Sequence, residues 1–185
     1  MAAFTFRNTS FTEAKLIDIP HASDPRGSFH KAFEKDIFAK AGISFAVQEA
    51  FESFSHQNTL RGLHFQTEQP QVKLVRASTG TIYDVIVDMR RTSPTFGQWE
   101  AFTLCAHTPQ TLLVPAGFAH GFYVLSSSAL VSYLCAFAYA KDADTGIRYD
   151  DPSLAISWPV PKGETPVLSP RDAAFGSFLS FASQG

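Results

Sequence analysis

Cysteine and charge are both scarce in this sequence. Only two cysteines, Cys105 and Cys135, occur among 185 residues, and two are too few for a disulfide framework. We expect two free, buried thiols in a reducing compartment, which favours a cytoplasmic location. The 15 basic residues nearly balance the 17 acidic ones and form no basic run. The sequence therefore offers no basis for nucleic-acid binding.

Long apolar runs are also missing. No stretch approaches the roughly 20 apolar residues that a membrane-spanning helix needs, so we expect no contact with a membrane. Residues 1–7 show no charged segment followed by a long apolar one, so we expect no signal peptide. No internal repeat, low-complexity segment or linker interrupts the chain. We therefore predict one domain over residues 1–185.

Phenylalanine is abundant, with 18 residues, which favours β structure. Short apolar segments recur about every ten residues with turn residues between them, as in antiparallel sandwiches and barrels. The clearest strand is Ile82–Met89, where one face is apolar and the other carries Asp84 and Asp88. Periodicity leaves open whether that second face meets solvent or a ligand cavity. In a later strand, Leu130–Tyr139, the alternation places Tyr133 and Tyr139 on the same face.

Helical periodicity is found only near the two ends of the chain. Residues Glu34–Ala41 predict a short helix that stops at Gly42. Near the C-terminus, Ser169 suits a helix N-cap and Pro170 suits the first helical position. We expect the apolar stripe of this second helix to run through Ala173, Phe175, Phe178 and Leu179.

Two of the six histidines stand out by their surroundings. His64 and His120 lie in apolar strand segments beside glycine and aromatic residues, whereas the other four lie in polar or turn-like segments. The segment Pro115–His120 matches the second metal motif of cupin barrels. The first metal motif needs a second histidine and a glutamate, and the residues that follow His64 supply neither. We therefore expect neither a metal nor a cofactor.

Acid–base chemistry is the remaining possibility. His64 can take a proton near neutral pH. A carboxylate behind it would hold its tautomer and stabilise its cation, and the candidates are Asp172, Asp84 and Asp88. Spacing along the chain does not choose among these three.

Three further residues could complete such a site. Tyr133 could act as an acid, while Lys73 and Arg61 could stabilise an enolate or hold phosphate oxygens. On a regular strand Arg61 and His64 point to opposite faces. For both to serve one site, Gly62 must mark a β-bulge, or Arg61 must act at the rim or across a subunit boundary.

Eight short motifs occur in a fixed order along the chain: Arg61–Gln66 (RGLHFQ), Lys73–Arg76 (KLVR), Asp84–Arg90 (DVIVDMR), Ser93–Trp99 (SPTFGQW), Leu113–Phe122 (LVPAGFAHGF), Ile147–Pro152 (IRYDDP), Ile156–Pro159 (ISWP) and Leu168–Asp172 (LSPRD). Their order and spacing resemble one enzyme family, the dTDP-4-dehydrorhamnose 3,5-epimerases. The resemblance runs from about Asp24 to Asp172. It implies an all-β, cupin-type (jelly-roll) barrel that has lost the metal, in dimers that exchange strands.

The resemblance also implies a role for each matching residue. His64 corresponds to the base, Asp172 to its carboxylate partner, and Tyr133 to the acid on the opposite face of the sugar. The remaining matches correspond to substrate contacts. They are Arg26 and Arg61 at the diphosphate and sugar, Lys73 and His120 around the sugar and its keto oxygen, Tyr139 stacked on the nucleobase of the substrate, and Asp144, Arg171 and Glu49 at further positions.

The implied activity is inversion of C3 and C5 in a nucleotide-linked 4-keto-6-deoxy sugar, without a cofactor. Inversion at one carbon only, or keto-isomerisation on the same scaffold, is the nearest alternative. A barrel that binds sugar nucleotides without turnover is the alternative from another class, and a metal-dependent cupin oxygenase is a third.

The chain departs from the family pattern at two places that contact the nucleotide or sugar. Lys31 stands where the family usually has glutamate. Residues 49–51 (EAF), or residues 48–50 (QEA) in the other register, stand where it usually has Gln-Asp-Asn. The catalytic residues are present, but these departures leave the nucleotide and the exact sugar open.

Overall fold

The computed structural model describes residues 3–183, so the expectation for the first two residues of the N-terminal segment lies outside it. The strands are β1 Thr5–Asn8, β2 Lys15–Asp18, β3 His21–Asp24, β4 Gly27–His30, β5 Glu49–His56, β6 Leu60–Gln66, β7 Lys73–Thr79, β8 Thr81–Asp88, β9 Trp99–Cys105, β10 Gln110–Val114, β11 Phe118–Val124, β12 Ser128–Cys135 and β13 Asp144–Gly146. The helices are α1 Lys35–Lys40, α2 Pro170–Ala173 and α3 Phe178–Ala182.

Two antiparallel sheets enclose the main core. One has the strand order β1-β2-β10-β7-β12-β5 and the other β13-β6-β11-β8-β9, while β3 and β4 form a separate hairpin. Buried residues from both sheets pack together between them, such as Val75 and Val131 from the first and Ile86 and Phe122 from the second. The predicted all-β, double-sheet architecture is confirmed.

Strand β8 is buried on both faces, which answers the question that its alternation left open. Val87 packs in an outer cluster covered by Trp158, and Ile86 packs in the core between the sheets. Asp84 and Asp88 are both fully buried. The second face of β8 therefore points into the barrel and not to solvent.

A β-bulge on β6 reconciles the directions of Arg61 and His64. His64 lies opposite His120 on β11, whereas Arg61 lies opposite Phe122, so β6 advances three residues while β11 advances two. Gly62 in the bulge has φ of +123°, a conformation that glycine adopts easily. Because the extra residue restores the alternation, Arg61 and His64 share the inner face. Of the alternatives expected for Arg61, the bulge at Gly62 is the one that the structure shows.

Replacing Gly62 by alanine should destabilise the fold by about 2–4 kcal/mol, from the positive φ and the overpacking together. A Cβ atom there would lie 2.5 Å from Gly121 Cα and 2.8 Å from the His120 carbonyl oxygen. The free energy of unfolding from urea denaturation measures the effect. Gly176→Ala is the control, because a Cβ at Gly176 meets nothing within 4 Å. Equal free energies of unfolding for the two variants would contradict the expectation that the bulge requires glycine at position 62.

The helix near the N-terminus and the capped helix near the C-terminus form where predicted. The Ser169 hydroxyl accepts a hydrogen bond from the Asp172 N–H at 3.0 Å, and Pro170 is the first residue of α2. Among residues 3–183, no helix has the length and apolar character to cross a membrane.

The single apolar stripe predicted for the C-terminal helix is wrong. The chain leaves the helix after Ala173 and starts α3 only at Phe178. Between the helices, the Gly176 carbonyl accepts a hydrogen bond from the Arg148 N–H at 3.0 Å, so this segment pairs with a distant backbone. Leu179 is 62% exposed and takes no part in a buried stripe.

The strand predicted to continue to Tyr139 ends at Cys135. Beyond it, the Gln71 side-chain amide donates to the Phe137 carbonyl at 2.7 Å, so a side chain replaces the neighbouring strand as partner. Tyr133 is 7% exposed on the strand, whereas Tyr139 is 52% exposed in the loop. The prediction that both tyrosines project from one strand face is wrong.

Two smaller expectations also differ from the structure. Both cysteines are free, but only Cys135 is buried, and Cys105 is partly exposed. The segment Asp142–Asp151, whose polar composition is typical of a loop, contains β13, which pairs with β6.

Candidate active site

A cavity of about 350 Å³ opens between the two sheets. Its wall is mostly charged or polar, with two aromatic side chains. Six of the eleven site residues predicted from the sequence belong to this wall. The wall consists of Glu49, Phe51, His64, Gln66, Gln71, Lys73, Tyr139, Asp144 and Arg171.

His64 and Asp172 form a hydrogen-bonded pair at the cavity, with 2.8 Å between His64 Nε2 and Asp172 Oδ1. The bulge at Gly62 contributes, because the Gly62 N–H donates to Asp172 Oδ2 at 3.3 Å. Burial opposes the charge of Asp172, but the hydrogen bonds from His64 and Gly62 prevail and hold its pKa below the ordinary value. The carboxylate is therefore charged at neutral pH and can hold the imidazole, leaving Nδ1 to accept a proton.

Asp84 pairs with His120 instead of His64. The distance from His120 Nε2 to Asp84 Oδ2 is 2.9 Å, and both side chains are buried. Burial raises the pKa of Asp84, and the nearby His120 opposes that shift. Within residues 3–183, the second oxygen of Asp84 has no hydrogen-bond partner. The alternation of β8 already indicated that Asp84 shares a face with apolar residues, but its partner on the next strand could not be read from the sequence.

Asp88, the third carboxylate considered, belongs to a different network. It accepts hydrogen bonds from Arg90 at 2.8 Å and from the Ser93 and Thr95 hydroxyls at 2.6 Å. Burial opposes its charge, but these hydrogen bonds hold the pKa of Asp88 well below its usual range. This network anchors the loop after β8, so of the three candidates only Asp172 contacts His64.

Tyr133 lies on the inner face of β12, in the sheet that faces the strand of His64. Its ring stacks on Phe51 with 4.5 Å between centroids and meets the His120 ring edge-on at 5.9 Å. Burial raises the pKa of the Tyr133 phenol, and the negative charge of Asp84 raises it further. The phenol is therefore protonated at neutral pH, as a proton donor must be.

Lys73 supplies a cation to the cavity. It lies in one row with Cys135 and Glu49 across three neighbouring strands. Burial lowers the pKa of Lys73 from its ordinary value, and the negative charges of Asp144 and Glu49 oppose that shift. A partly desolvated cation can stabilise developing negative charge.

Three predicted residues form a small cluster at the edge of the cavity. Arg171 Nη2 lies 2.7 Å from Asp144 Oδ2, and the Tyr139 hydroxyl donates to the same carboxylate oxygen at 2.9 Å. The hydrogen bond from its hydroxyl orients the Tyr139 side chain, although the residue lies in a loop. The three side chains therefore act as one polar unit at the mouth.

Five of the eleven predicted residues are not part of the wall: Asp172, Tyr133 and His120, described above, and also Arg61 and Arg26. Arg61 donates to the Ser55 hydroxyl at 2.9 Å and to the Phe54 carbonyl at 3.2 Å. Arg26 lies at the tip of the β3–β4 hairpin, where its side chain is 90% exposed and pairs with Asp24. The structure brings Arg61 to the inner face but leaves Arg26 at the surface.

The sequence missed three residues of the wall as contacts: Phe51, Gln66 and Gln71. Phe51 had been noted only as a departure from the family pattern. Two of the three could have been found from strand alternation, because Gln66 lies two residues after His64 and Phe51 two residues after Glu49. Within residues 3–183 no group of three or more His, Cys, Asp or Glu side chains is arranged to hold a metal ion.

Comparison with known proteins gives a consistent result. A family-level profile described as dTDP-4-dehydrorhamnose 3,5-epimerase matches residues 8–179. A protein of that name from Methanothermobacter thermautotrophicus is 40% identical over 93% of this chain and 93% of its own length.

Two solved structures agree with the profile. The dTDP-6-deoxy-D-glucose-3,5-epimerase of Legionella pneumophila, in complex with dTDP-4-keto-L-rhamnose, superposes with a TM-score of 0.90 at 40% identity, covering 94% of this chain and 92% of the other. A 3′-monoepimerase from Streptomyces bikiniensis, in complex with dTDP-quinovose, superposes with a TM-score of 0.86 at 33% identity, covering 94% and 87%. The cupin-type fold and the family resemblance predicted from the sequence are confirmed. This chain belongs to the dTDP-4-dehydrorhamnose 3,5-epimerase family and is an isomerase.

Proposed function

We propose that this enzyme inverts C3 and C5 of a nucleotide-diphosphate-linked 4-keto-6-deoxy sugar of the dTDP-4-dehydro-6-deoxyglucose type. The observation that carries the proposal is the His64–Asp172 pair, with its 2.8 Å hydrogen bond at a cavity that also contains Lys73. The names of the relatives supply the nucleotide and the sugar.

The first step is removal of a proton next to the ketone. The 4-keto group acidifies the hydrogens on C3 and C5, and His64 takes one of them while Asp172 stabilises the imidazolium. The resulting enolate needs nearby positive charge or hydrogen-bond donors, which Lys73 and His120 supply. Only protons move, so the reaction needs no cofactor.

The second step is protonation from the opposite face of the sugar. His64 projects from β6 and Tyr133 from β12, and these strands belong to the two sheets that face each other. A sugar ring held between the sheets has the base on one side and the phenol on the other. Return of a proton from Tyr133 therefore inverts the carbon.

The cavity of one chain has too little net positive charge to hold a diphosphate, which supports a homodimer in which the partner supplies more. Within one chain, Lys73 and Arg171 are balanced by Glu49 and Asp144, which leaves little net attraction for a diphosphate. The β3–β4 hairpin is exposed along almost its whole length, and an isolated hairpin is marginally stable in water. We propose that this hairpin crosses to a second subunit and brings Arg26 to the diphosphate there.

Arg26→Ala should raise the KM for the sugar nucleotide roughly 10–100-fold while changing kcat less, because a charge-assisted contact to the diphosphate is lost. Steady-state kinetics measure the effect. Arg148→Ala is a matched control, since Arg148 also pairs with an aspartate two residues away. A KM within about twofold of wild type for Arg26→Ala would contradict the contact.

Mixed dimers test whether Arg26 acts across the subunit boundary. A heterodimer of Arg26→Ala and His64→Asn subunits has one site with both wild-type residues if the hairpin crosses, and none if it does not. At substrate concentrations well below the wild-type KM, where sites that lack Arg26 contribute little, equal mixing should restore about a quarter of wild-type activity, since half of the dimers are mixed and each has one complete site. If mixing restores no activity, Arg26 serves the active site of its own subunit.

Deuterium uptake separates the proposed activity from its alternatives. The enzyme is incubated in D₂O with 4-keto-6-deoxy sugars that carry thymidine, uridine, cytidine or guanosine diphosphate. Uptake at C3 and C5 supports double epimerisation. Uptake at C3 alone would make it a monoepimerase, as its Streptomyces bikiniensis relative is named. Tight binding without uptake for any nucleotide would contradict the enzymatic proposal. We also propose a cytoplasmic location, supported by the two free thiols.

A further inference from the structure

Phe51 occupies an unusual position between the cavity and Tyr133. It lies directly opposite Tyr133 on the neighbouring strand, and the two rings are nearly parallel, with 15° between their planes. Phe51 is 44% exposed, whereas Tyr133 is 7% exposed, and Phe51 belongs to the cavity wall. Phe51 is therefore the aromatic surface that covers one face of the Tyr133 ring on the cavity side.

Core packing does not explain this phenylalanine. Strand β5 is at the edge of its sheet, and the other β5 residues that share the inner face with Phe51 are Glu49, Ser53 and Ser55, all polar. A phenylalanine that served only the core would be buried, because its stabilising effect comes from removing apolar surface from water. The contact that Phe51 does make is the stack on Tyr133.

The Tyr133 ring is held on two sides. Phe51 covers one face, and the His120 ring meets it edge-on at 5.9 Å. Because offset-stacked and edge-to-face contacts each favour one geometry, the two together restrict rotation of the phenol. Removal of Phe51 would free one side of the ring and admit water to it.

We propose that Phe51 is a positioning residue that acts through Tyr133, holding the phenol so that the enolate is protonated from the Tyr133 side and inversion is completed. This inference rests on the proposed epimerase function. It adds a residue that decides how often proton removal leads to inversion and how often the proton simply returns.

The proton balance shows where Phe51 matters. A C–H bond of the sugar breaks, its proton binds His64, and its electron pair forms the enolate. The Tyr133 O–H bond then breaks as a new C–H bond forms on the other face. The phenolate regains a proton from solvent, and His64 releases the proton it took to solvent. If Tyr133 is misplaced, His64 exchanges its proton with solvent and returns one to the enolate on the original face, which exchanges hydrogen without inversion.

The test compares three variants by the ratio of deuterium uptake in uninverted substrate to inversion. Phe51→Leu keeps apolar bulk but loses the aromatic stack, and it should raise the ratio roughly tenfold, a part of the 10²–10⁴-fold that a positioned acid contributes. Phe51→Tyr keeps the stack and should retain the wild-type ratio. Phe54→Leu is the matched control on the outer face of the same strand, where Phe54 is 56% exposed, and it should also retain that ratio. An unchanged ratio in Phe51→Leu, at whatever overall rate, would overturn the proposal.

A second measurement does not require turnover. Tyrosine labelled with ¹³C at Cζ reports phenol ionisation by NMR, and comparison with Tyr133→Phe identifies the Tyr133 signal among the five tyrosines. In Phe51→Leu the Tyr133 signal should titrate nearer the ordinary value of about 10 than it does in the wild-type protein. Identical titration in the two proteins would overturn the positioning role. Absence of exchange by the wild-type enzyme would instead count against the proposed function.

Discussion

Replacing His64 by asparagine should lower deuterium uptake at both C3 and C5 by at least about 10²–10⁴-fold, the typical contribution of a positioned acid–base group. Asparagine has a similar size and can donate a hydrogen bond to Asp172, so the buried carboxylate keeps a partner. It has no group that can accept a proton near neutral pH. The loss should therefore appear in proton removal itself, and binding of the sugar nucleotide should change little.

The measurement is the initial rate of deuterium uptake by NMR, with thermal unfolding as a check on the fold. His107→Asn is a suitable control, because His107 is exposed in the turn between β9 and β10. The control should exchange at the wild-type rate. Exchange by the His64 variant at a rate close to that of the control would mean that another group is the base.

Tyr133→Phe should separate exchange from inversion. The change removes one hydroxyl and leaves the ring, so the stack on Phe51 and the edge contact with His120 persist. Proton removal by His64 should continue, because the opposite sheet supplies that base. Completion of inversion should fall by about 10²–10⁴-fold, since the enolate loses its donor on the second face.

The product ratio after single-turnover mixing in D₂O measures this split. Tyr123→Phe is the control for loss of a tyrosine hydroxyl, because Tyr123 donates to Asn58 at 2.9 Å in another part of the barrel. That control should lose some stability and keep the wild-type product ratio. If exchange and inversion fall together in Tyr133→Phe, the tyrosine serves binding and a different group is the acid.

Strand positions are predictable here because side-chain alternation involves residues only two positions apart. The apolar segment around His64, expected to be a strand, is β6. The Ser169 cap also follows from local chemistry, since its hydroxyl satisfies an N–H only three residues away. The prediction that β12 continues to Tyr139 was wrong because the side chain of Gln71, from another part of the chain, takes the place of a strand partner there.

The site is less predictable because its contacts join distant parts of the chain. Three aspartates were candidates for the partner of His64, and the one that pairs with it lies 108 residues away. Asp84 pairs with His120 instead, because β8 and β11 are neighbours in the sheet. Neither pairing has a local pattern, since each depends on which strands and helices the fold places side by side.

The sequence by itself determined the fold class, the family and the residue types available for proton transfer. These depend on local alternation and on short motifs, which the order of residues contains directly. The family resemblance implied that Asp172 supports His64, and the tertiary structure shows their hydrogen bond. Only the tertiary structure decided that a bulge returns Arg61 to the inner face and that Phe51 covers Tyr133. Such contacts are set by strand register and sheet order, because packing and hydrogen bonding over the whole barrel choose among arrangements that local sequence leaves equal.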